Sequence, residues 1–283
     1  MNKIVFVKNK FRYLPWVCRN FSKIKIQTYF LLRRLDTLFI GREQHQLPSV
    51  NSTNEHALSL LSKSKPPEGT VVSTPNQVAG RGQIGSNWES EAGKNICMSV
   101  ILYPKFLNAG RQFLLSQAVS LAVFDLLEKY FPGQTKIKWP NDIYINGKKA
   151  VGILIQNSVS GAQLRSSVIG IGINVNQEIF RSGAPNPTSF KLESGNEFNT
   201  GQLINELCHF LENRYLKLKS GNIVPLQAAY LKHLYRFQIP SFFENGNGAV
   251  FKGTITGISE KGQLKIYISG KEKLFGLKEI KFL

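Results

Sequence analysis

The sequence is poor in cysteine, in acidic residues and in long apolar runs, and each shortage closes off a class of protein. Three cysteines in 283 residues, Cys18, Cys97 and Cys208, stand far apart and form no CxxC pair. An odd, scattered set argues against a disulfide framework and for a reducing compartment. The four histidines, His45, His56, His209 and His233, share no metal-ligand spacing. No apolar run approaches the roughly 18 residues that a bilayer-spanning helix needs. The expectation is a soluble, cytoplasmic protein without membrane attachment.

Acidic residues number 18 against 36 Lys and Arg, a formal net charge of +18. The excess is uneven. Residues 1–45 carry ten Lys/Arg against two acidic residues, and the last 36 carry seven against three, so the 202 residues between them are only mildly basic. A basic head and tail suit an anionic ligand as well as a polynucleotide. There is no zinc-finger spacing, RNP-like aromatic motif or helix-turn-helix pattern, and DNA binding is not expected. The head has no acidic residue before Asp36, and its apolar core, IVFV, is too short for a secretory signal. Residues 1–40 therefore read as a basic extension with no assigned role.

From Gly41 onward the text is regular. Ser52 and Glu55, three residues apart, have the spacing of a capping box opening a short helix. GTVVST and KNICMSVILYP read as buried strands. The segment 110–133 has apolar residues at helical spacing, among them Phe113, Leu114, Leu121 and Leu127, and stops at Pro132-Gly133. Three alternating runs follow, with Asn146-Gly147 marking a hairpin, so an antiparallel meander is expected. Residues 199–221 read as an amphipathic helix with Leu203, Leu207, Phe210, Leu211, Tyr215 and Leu218 on one stripe and Gly221 at its end. From about Gln238, short strands and glycine turns predict a small β-barrel.

Three stretches carry chemistry. GRGQIGSNW, residues 80–88, follows a strand; its glycines let backbone N–H groups cup an anion, and Arg81 between Gly80 and Gly82 can grip phosphate or carboxylate. Neither the GxGxxG spacing nor GK[ST] is present, which excludes the Rossmann and Walker fingerprints. KWPNDIYINGKKAVGIL, residues 138–154, gathers Lys138, Trp139, Asn141, Asp142, Lys148 and Lys149. Asp142 beside a proline-constrained turn could take Mg²⁺, or merely cap its own backbone. Lys149 could face a developing anion, or be a solvated hairpin lysine. GIGINVN, residues 170–176, pairs close-approach glycines with the amide of Asn174.

In this order, STN, QxAGRGxxGxxW, KWPNDIYxxxxKxxGIL and GxGINVN resemble the biotin–protein ligases, over about Leu47 to Asn176, and the GxIxGIxxxGxLxI tail resembles that family's C-terminal domain. The resemblance implies an α/β (α+β) fold: a mixed, largely antiparallel sheet backed by helices, like class II aminoacyl-tRNA synthetases, over 41–236, and a small SH3-like β-barrel over 237–283. It implies that biotin and ATP give biotinyl-5′-adenylate, with Mg²⁺, and that biotin passes to one lysine of a biotin carboxyl carrier domain. Ser52, Thr53, Asn54 and Gln77 would hold biotin with Arg81, Gly82, Gln83, Lys149 and Gly152. Trp88, Asn141, Asp142 and Asn174 would serve ATP with Arg81, and Asp142 the metal; Arg81 and Lys149 would be the catalytic cations. Two features depart from the pattern. Gln83 stands where bacterial relatives have a second loop arginine, and the head lacks the helix-turn-helix of relatives that also repress genes, so the monofunctional type is expected. Homodimerisation stays open. Competing readings are a lipoate or octanoate ligase of the same fold, and a non-catalytic nucleic-acid or ligand-binding protein.

Overall fold

The computed structural model describes residues 36–283 apart from 84 and 184; most of the basic head expected at 1–40 lies outside the described residues. The large sheet is built from β1 (Gln44–Gln46), β2 (Val71–Thr74), β3 (Ile96–Leu102), β4 (Thr135–Lys138), β5 (Asp142–Ile145), β6 (Lys148–Ser160) and β7 (Gln163–Ile173). Its helices are α1 (Thr53–Lys63), α2 (Phe113–Tyr130), α3 (Phe190–Ser194), α4 (Thr200–Lys219) and α5 (Ile223–Lys232). A second sheet follows, of β8 (Ser241–Asn245), β9 (Val250–Ile258), β10 (Leu264–Ile268), β11 (Lys271–Phe275) and β12 (Ile280–Phe282).

The meander forms for a local reason. Asn146 and Gly147 both have positive φ, 50° and 75°, the type I′ turn whose twist matches the flanking strands. It joins β5 to β6, and β7 then runs back along β6 over its whole length. The seven strands lie in the order β1-β2-β3-β7-β6-β5-β4. Every pairing is antiparallel except β1 with β2. This is the mixed, mostly antiparallel sheet that was expected; β1 itself is too short and too polar (Gln-His-Gln) to announce itself in the sequence. β3 is buried at every position, as a strand covered on both faces must be.

Helix α2 is apolar on nearly all sides and is buried along most of its length. It packs along α4, and Arg214 grips Asp125 across the pair through Nε–Oδ2 and Nη2–Oδ1 at 2.6 and 2.7 Å. On α4 the expected stripe is buried except at Phe210, while Cys208 and Glu212 are buried beside it. Gly221 takes φ +82° just beyond the helix, the left-handed conformation that ends helices cheaply. Helix α5 had no signal in the sequence; Pro225 sits in its first turn, where the missing N–H costs nothing. Within the described residues no helix is long and apolar enough to cross a membrane.

Glu212 explains why the chain enters the fold where it does. Its carboxylate is buried and accepts the backbone N–H groups of Leu38, Phe39 and Ile40 at 2.5, 2.7 and 2.9 Å. Thr37 to Ile40, placed by the sequence reading in the extension, thus pack with the body. The five-stranded antiparallel sheet, in the order β11-β10-β9-β8-β12, occupies the tail where a small barrel was expected. Buried Trp139 donates its indole N–H to the Gly262 carbonyl at 2.9 Å and ties this sheet to the turn before β5.

Two measurements test these supports. Glu212→Gln puts an amide where three N–H groups need an anionic acceptor, and should cost about 1–3 kcal/mol in denaturant unfolding. His233 stacks on Phe124 with centroids 4.0 Å apart; burial, then the nearby Lys232 and Lys136, lower its pKa. The fold thus favours the neutral ring, and stability present above the ordinary histidine pKa of about 6.5 is lost as pH falls below it. The fall in Tm between pH 7 and pH 5 should be smaller for His233→Gln than for the wild type.

Candidate active site

One cavity of about 670 Å³ opens beside the sheet, a size suited to a ligand of a few tens of atoms. Its floor is made by missing side chains. Gly152 on β6 and Gly172 on β7 are directly opposed in the register. A Cβ at Gly172 would come within 2.3 Å of the Trp88 indole, and one at Gly152 within 2.8 Å. The glycines therefore let the indole lie flat against the strands. A third glycine on the same strand, Gly170, makes room in the same way for the amide of Asn54.

One wall is a hydrogen-bonded polar network. Ser52 stands at the N-cap of α1 and Thr53 and Asn54 begin that helix. Gln77 Oε1 accepts from the Thr53 backbone N–H at 2.9 Å. Ser99 Oγ, buried in mid-β3, lies 2.6 Å from Asn54 Oδ1 and 2.7 Å from Thr53 Oγ1. A hydroxyl has one proton, and the amide oxygen can only accept, so Ser99 donates to Asn54 and receives from Thr53. Asn54 Nδ2 in turn donates to Gln156 Oε1 at 3.0 Å. The network fixes which way each polar group points, and so presents a set pattern of donors and acceptors.

A second part of the lining is cationic. Lys149 Nζ lies 2.8 Å from Asp142 Oδ1 and 5.9 Å from the centroid of the Trp88 ring, so loop, turn and strand meet there. Asn141 spends its amide on the Ile153 carbonyl at 2.8 Å, clamping the turn to β6. Lys138 donates to the Tyr144 hydroxyl at 2.8 Å and sits over the rings of Tyr144 and Phe282. Burial, with Lys149 and Arg236 nearby, lowers its pKa against the opposing pull of Asp142. Arg236 and, from the last strand region, Lys278 and Lys281 also line the cavity. Asp142 is the one carboxylate side chain among the described lining residues, so the cavity favours an anion.

The roof is the glycine loop, folded as a tight hairpin. Gly82 N–H donates to the Ser86 carbonyl at 2.8 Å and Trp88 N–H to the Gly80 carbonyl at 2.9 Å. Gly80 has to be glycine, since a Cβ there would stand 2.3 Å from the Trp88 carbonyl oxygen.

The structure thus brings together Ser52, Thr53, Asn54, Gln77, Arg81, Gly82, Gln83, Trp88, Asn141, Asp142, Lys149 and Gly152 around one cavity. Asn174 is placed elsewhere. It is buried, its amide donates to the Thr188 carbonyl at 2.9 Å, and it does not line the cavity. The expected capping box is corrected as well: Ser52 makes no side-chain cap bond, and the Glu55 carboxylate pairs with Arg81 Nη2 instead. Sequence reasoning missed Ser99, Gln156, Arg236 and the contribution of β12. Ser99 had a signal, a lone hydroxyl inside the apolar run ICMSVIL; the others had none, because their partners are far away in the chain.

A half-enclosed, cation-rich cavity on an α+β sheet defines a domain that binds an anionic small molecule. Residues 47–174 match the biotin/lipoate A/B protein ligase family. Over 236 residues the chain is 34% identical to the bifunctional ligase/repressor BirA of Bacillus spizizenii, covering 81% of this chain and 71% of that protein. It is 30% identical over 227 residues to the biotin–[acetyl-CoA-carboxylase] ligase of Paracoccus denitrificans, covering 77% and 91%. Among solved structures it resembles the biotin protein ligase from Aquifex aeolicus in complex with biotin and ATP, with a TM-score of 0.70 and 24% identity, covering 86% of this chain and 99% of that one. The chain belongs to the biotin/lipoate A/B protein ligase family.

The glycine floor gives a test that needs no ligand. Gly172→Ala should push the indole off the strands and shift tryptophan emission to longer wavelength. That shift should be missing when the substitution is made in a Trp88→Phe background.

Proposed function

We propose that this protein is a biotin–protein ligase, which joins biotin to ATP as biotinyl-5′-adenylate and then transfers biotin to a lysine of a biotin carboxyl carrier domain. The observation that carries this reading is the pairing, in one cavity, of a directional polar wall with a cationic one. Ser52, Thr53, Asn54 and Gln77 suit a small ring with fixed donors and acceptors, such as the ureido group of biotin. Arg81 and Lys149 suit the two anions that must be brought together, the biotin carboxylate and the α-phosphate.

These anions repel, so positioning and neutralisation are the main catalytic tasks. A carboxylate oxygen attacks the α-phosphorus, the bond to the bridging oxygen breaks, and pyrophosphate departs with that electron pair. In the second step the acceptor amine attacks the acyl carbon and AMP leaves. The Gly80–Trp88 loop excludes water from the mixed anhydride. Trp88, Asn141 and Asp142 serve the nucleotide side. Asn174, away from the cavity wall, acts by clamping Thr188 and so the segment that follows β7.

Mg²⁺ binds hard oxygen donors and commonly uses one or two protein carboxylates together with substrate phosphates. A single lining carboxylate, Asp142, fits an ion of that kind carried on the nucleotide. When bound it would offset phosphate charge alongside Arg81 and Lys149.

ATP–pyrophosphate exchange, run with biotin, lipoate and octanoate separately, tests the reading. Exchange is expected with biotin alone, and Arg81→Ala or Lys149→Ala should lower it roughly a hundredfold or more. Exchange supported by lipoate or octanoate instead would move the protein to the other branch of the family. Full activity in both variants would remove those two cations from the mechanism.

A further inference from the structure

Glu55 is spaced to cap its helix and does something else. Its carboxylate is clasped to Arg81 Nη2, in an ion pair whose side chains are 39% and 61% exposed. Arg81 is the one cationic residue in the segment 80–88. It lines the cavity, as do Thr53 and Asn54 immediately before Glu55, but Glu55 itself does not. The guanidinium therefore stands between the cavity on one side and a carboxylate outside it on the other. Among the described residues the loop backbone is closed by Gly82 to Ser86, Ser86 to Gln83 and Trp88 to Gly80, and its far end is seated by the Trp88 indole on β6 and β7. The Arg81–Glu55 pair fastens this hairpin to α1.

We infer that Glu55 is a positioning residue that parks Arg81 against the first turn of α1, so that an anionic group entering the cavity must compete with its carboxylate for the guanidinium. The inference rests on the site reading above, in which Arg81 meets the biotin carboxylate or the α-phosphate. Parking has two effects. It keeps the loop ordered without a ligand, and it makes closure depend on a ligand whose charge outcompetes Glu55. The contact is exposed and so weak, which suits a device that has to let go on every turnover. Removing it should change apparent affinity roughly two- to five-fold, the range of exposed ion pairs. Salt should erase the difference, since exposed pairs are screened.

The experiment compares wild type, Glu55→Gln and Glu55→Asp. In the ligand-free proteins, amide hydrogen exchange over residues 80–88 should quicken in Glu55→Gln and stay near wild type in Glu55→Asp, with Tm unchanged in both. In biotin-dependent ATP–pyrophosphate exchange at low salt, Glu55→Gln should lower the KM for biotin two- to five-fold with less change in kcat. At high salt the two proteins should converge. Unchanged loop exchange in Glu55→Gln overturns the inference whatever the substrate proves to be. So does a KM for biotin that rises or stays put in an active enzyme. Quickened loop exchange in Glu55→Gln, together with a wild type that shows no biotin-dependent activity, would leave Glu55 as the parking group and reject biotin as the competitor.

Discussion

The close approach of Trp88 to two opposed glycines is the contact on which the rest of the site depends. Gly152 and Gly172 face each other on the longest strand pair, and the indole rests where their side chains would be. From that seat the ring faces the ammonium of Lys149, itself held by Asp142. The backbone of Trp88 closes the glycine hairpin on Gly80. The loop, the β6–β7 pair and the Lys149 ammonium thus meet on one van der Waals surface. Close packing of this kind is intolerant of even a methyl group, so the glycines here are determined by what lies on top of them rather than by turn conformation.

The polar wall follows a similar logic at longer range. Thr53 and Asn54 are delivered by a helix, Gln77 by the strand exit, Ser99 by the middle of β3 and Gln156 by β6. The hydroxyl of Ser99 has to choose one acceptor, and Asn54 leaves it no choice. The buried centre of this network, Thr53, Asn54 and Ser99, satisfied in this way, favours a single arrangement, which is what a site for a small polar ring requires. The cationic wall is held by single contacts instead: Lys149 by Asp142, Lys138 by the Tyr144 hydroxyl, Arg236 by the Leu283 carbonyl and Lys281 by Glu244.

Much of this was legible because it is local. The Asn146-Gly147 turn, the apolar period of α2, the end of α4 at Gly221 and the glycine loop all depend on neighbours a few residues away, and the sequence displays them. Four motifs in order were enough to gather most of the site. What was hidden depends on partners far along the chain. Glu55 reads as a cap until Arg81, 26 positions later, offers a stronger partner. Glu212, off the apolar stripe of its helix, has no local signal for its role, because the N–H groups of Leu38 to Ile40 reach it from across the fold. Asn174 reads as a site residue from its motif, yet the Thr188 carbonyl has claimed its amide. Parallel pairing of the short, polar β1 has no local signature at all.

The cavity is bounded by both sheets, with Phe282 and Lys281 of β12 completing a wall whose Lys138, Asp142 and Lys149 sit on the large sheet. Its integrity is therefore no better than that of the smaller, less buried unit. Local opening of the five-stranded sheet would dismantle the pocket while leaving the main core intact. A molecule bound against β12 would by the same linkage hold the small sheet shut. Occupancy of the pocket and folding of the tail are then one equilibrium seen from two ends.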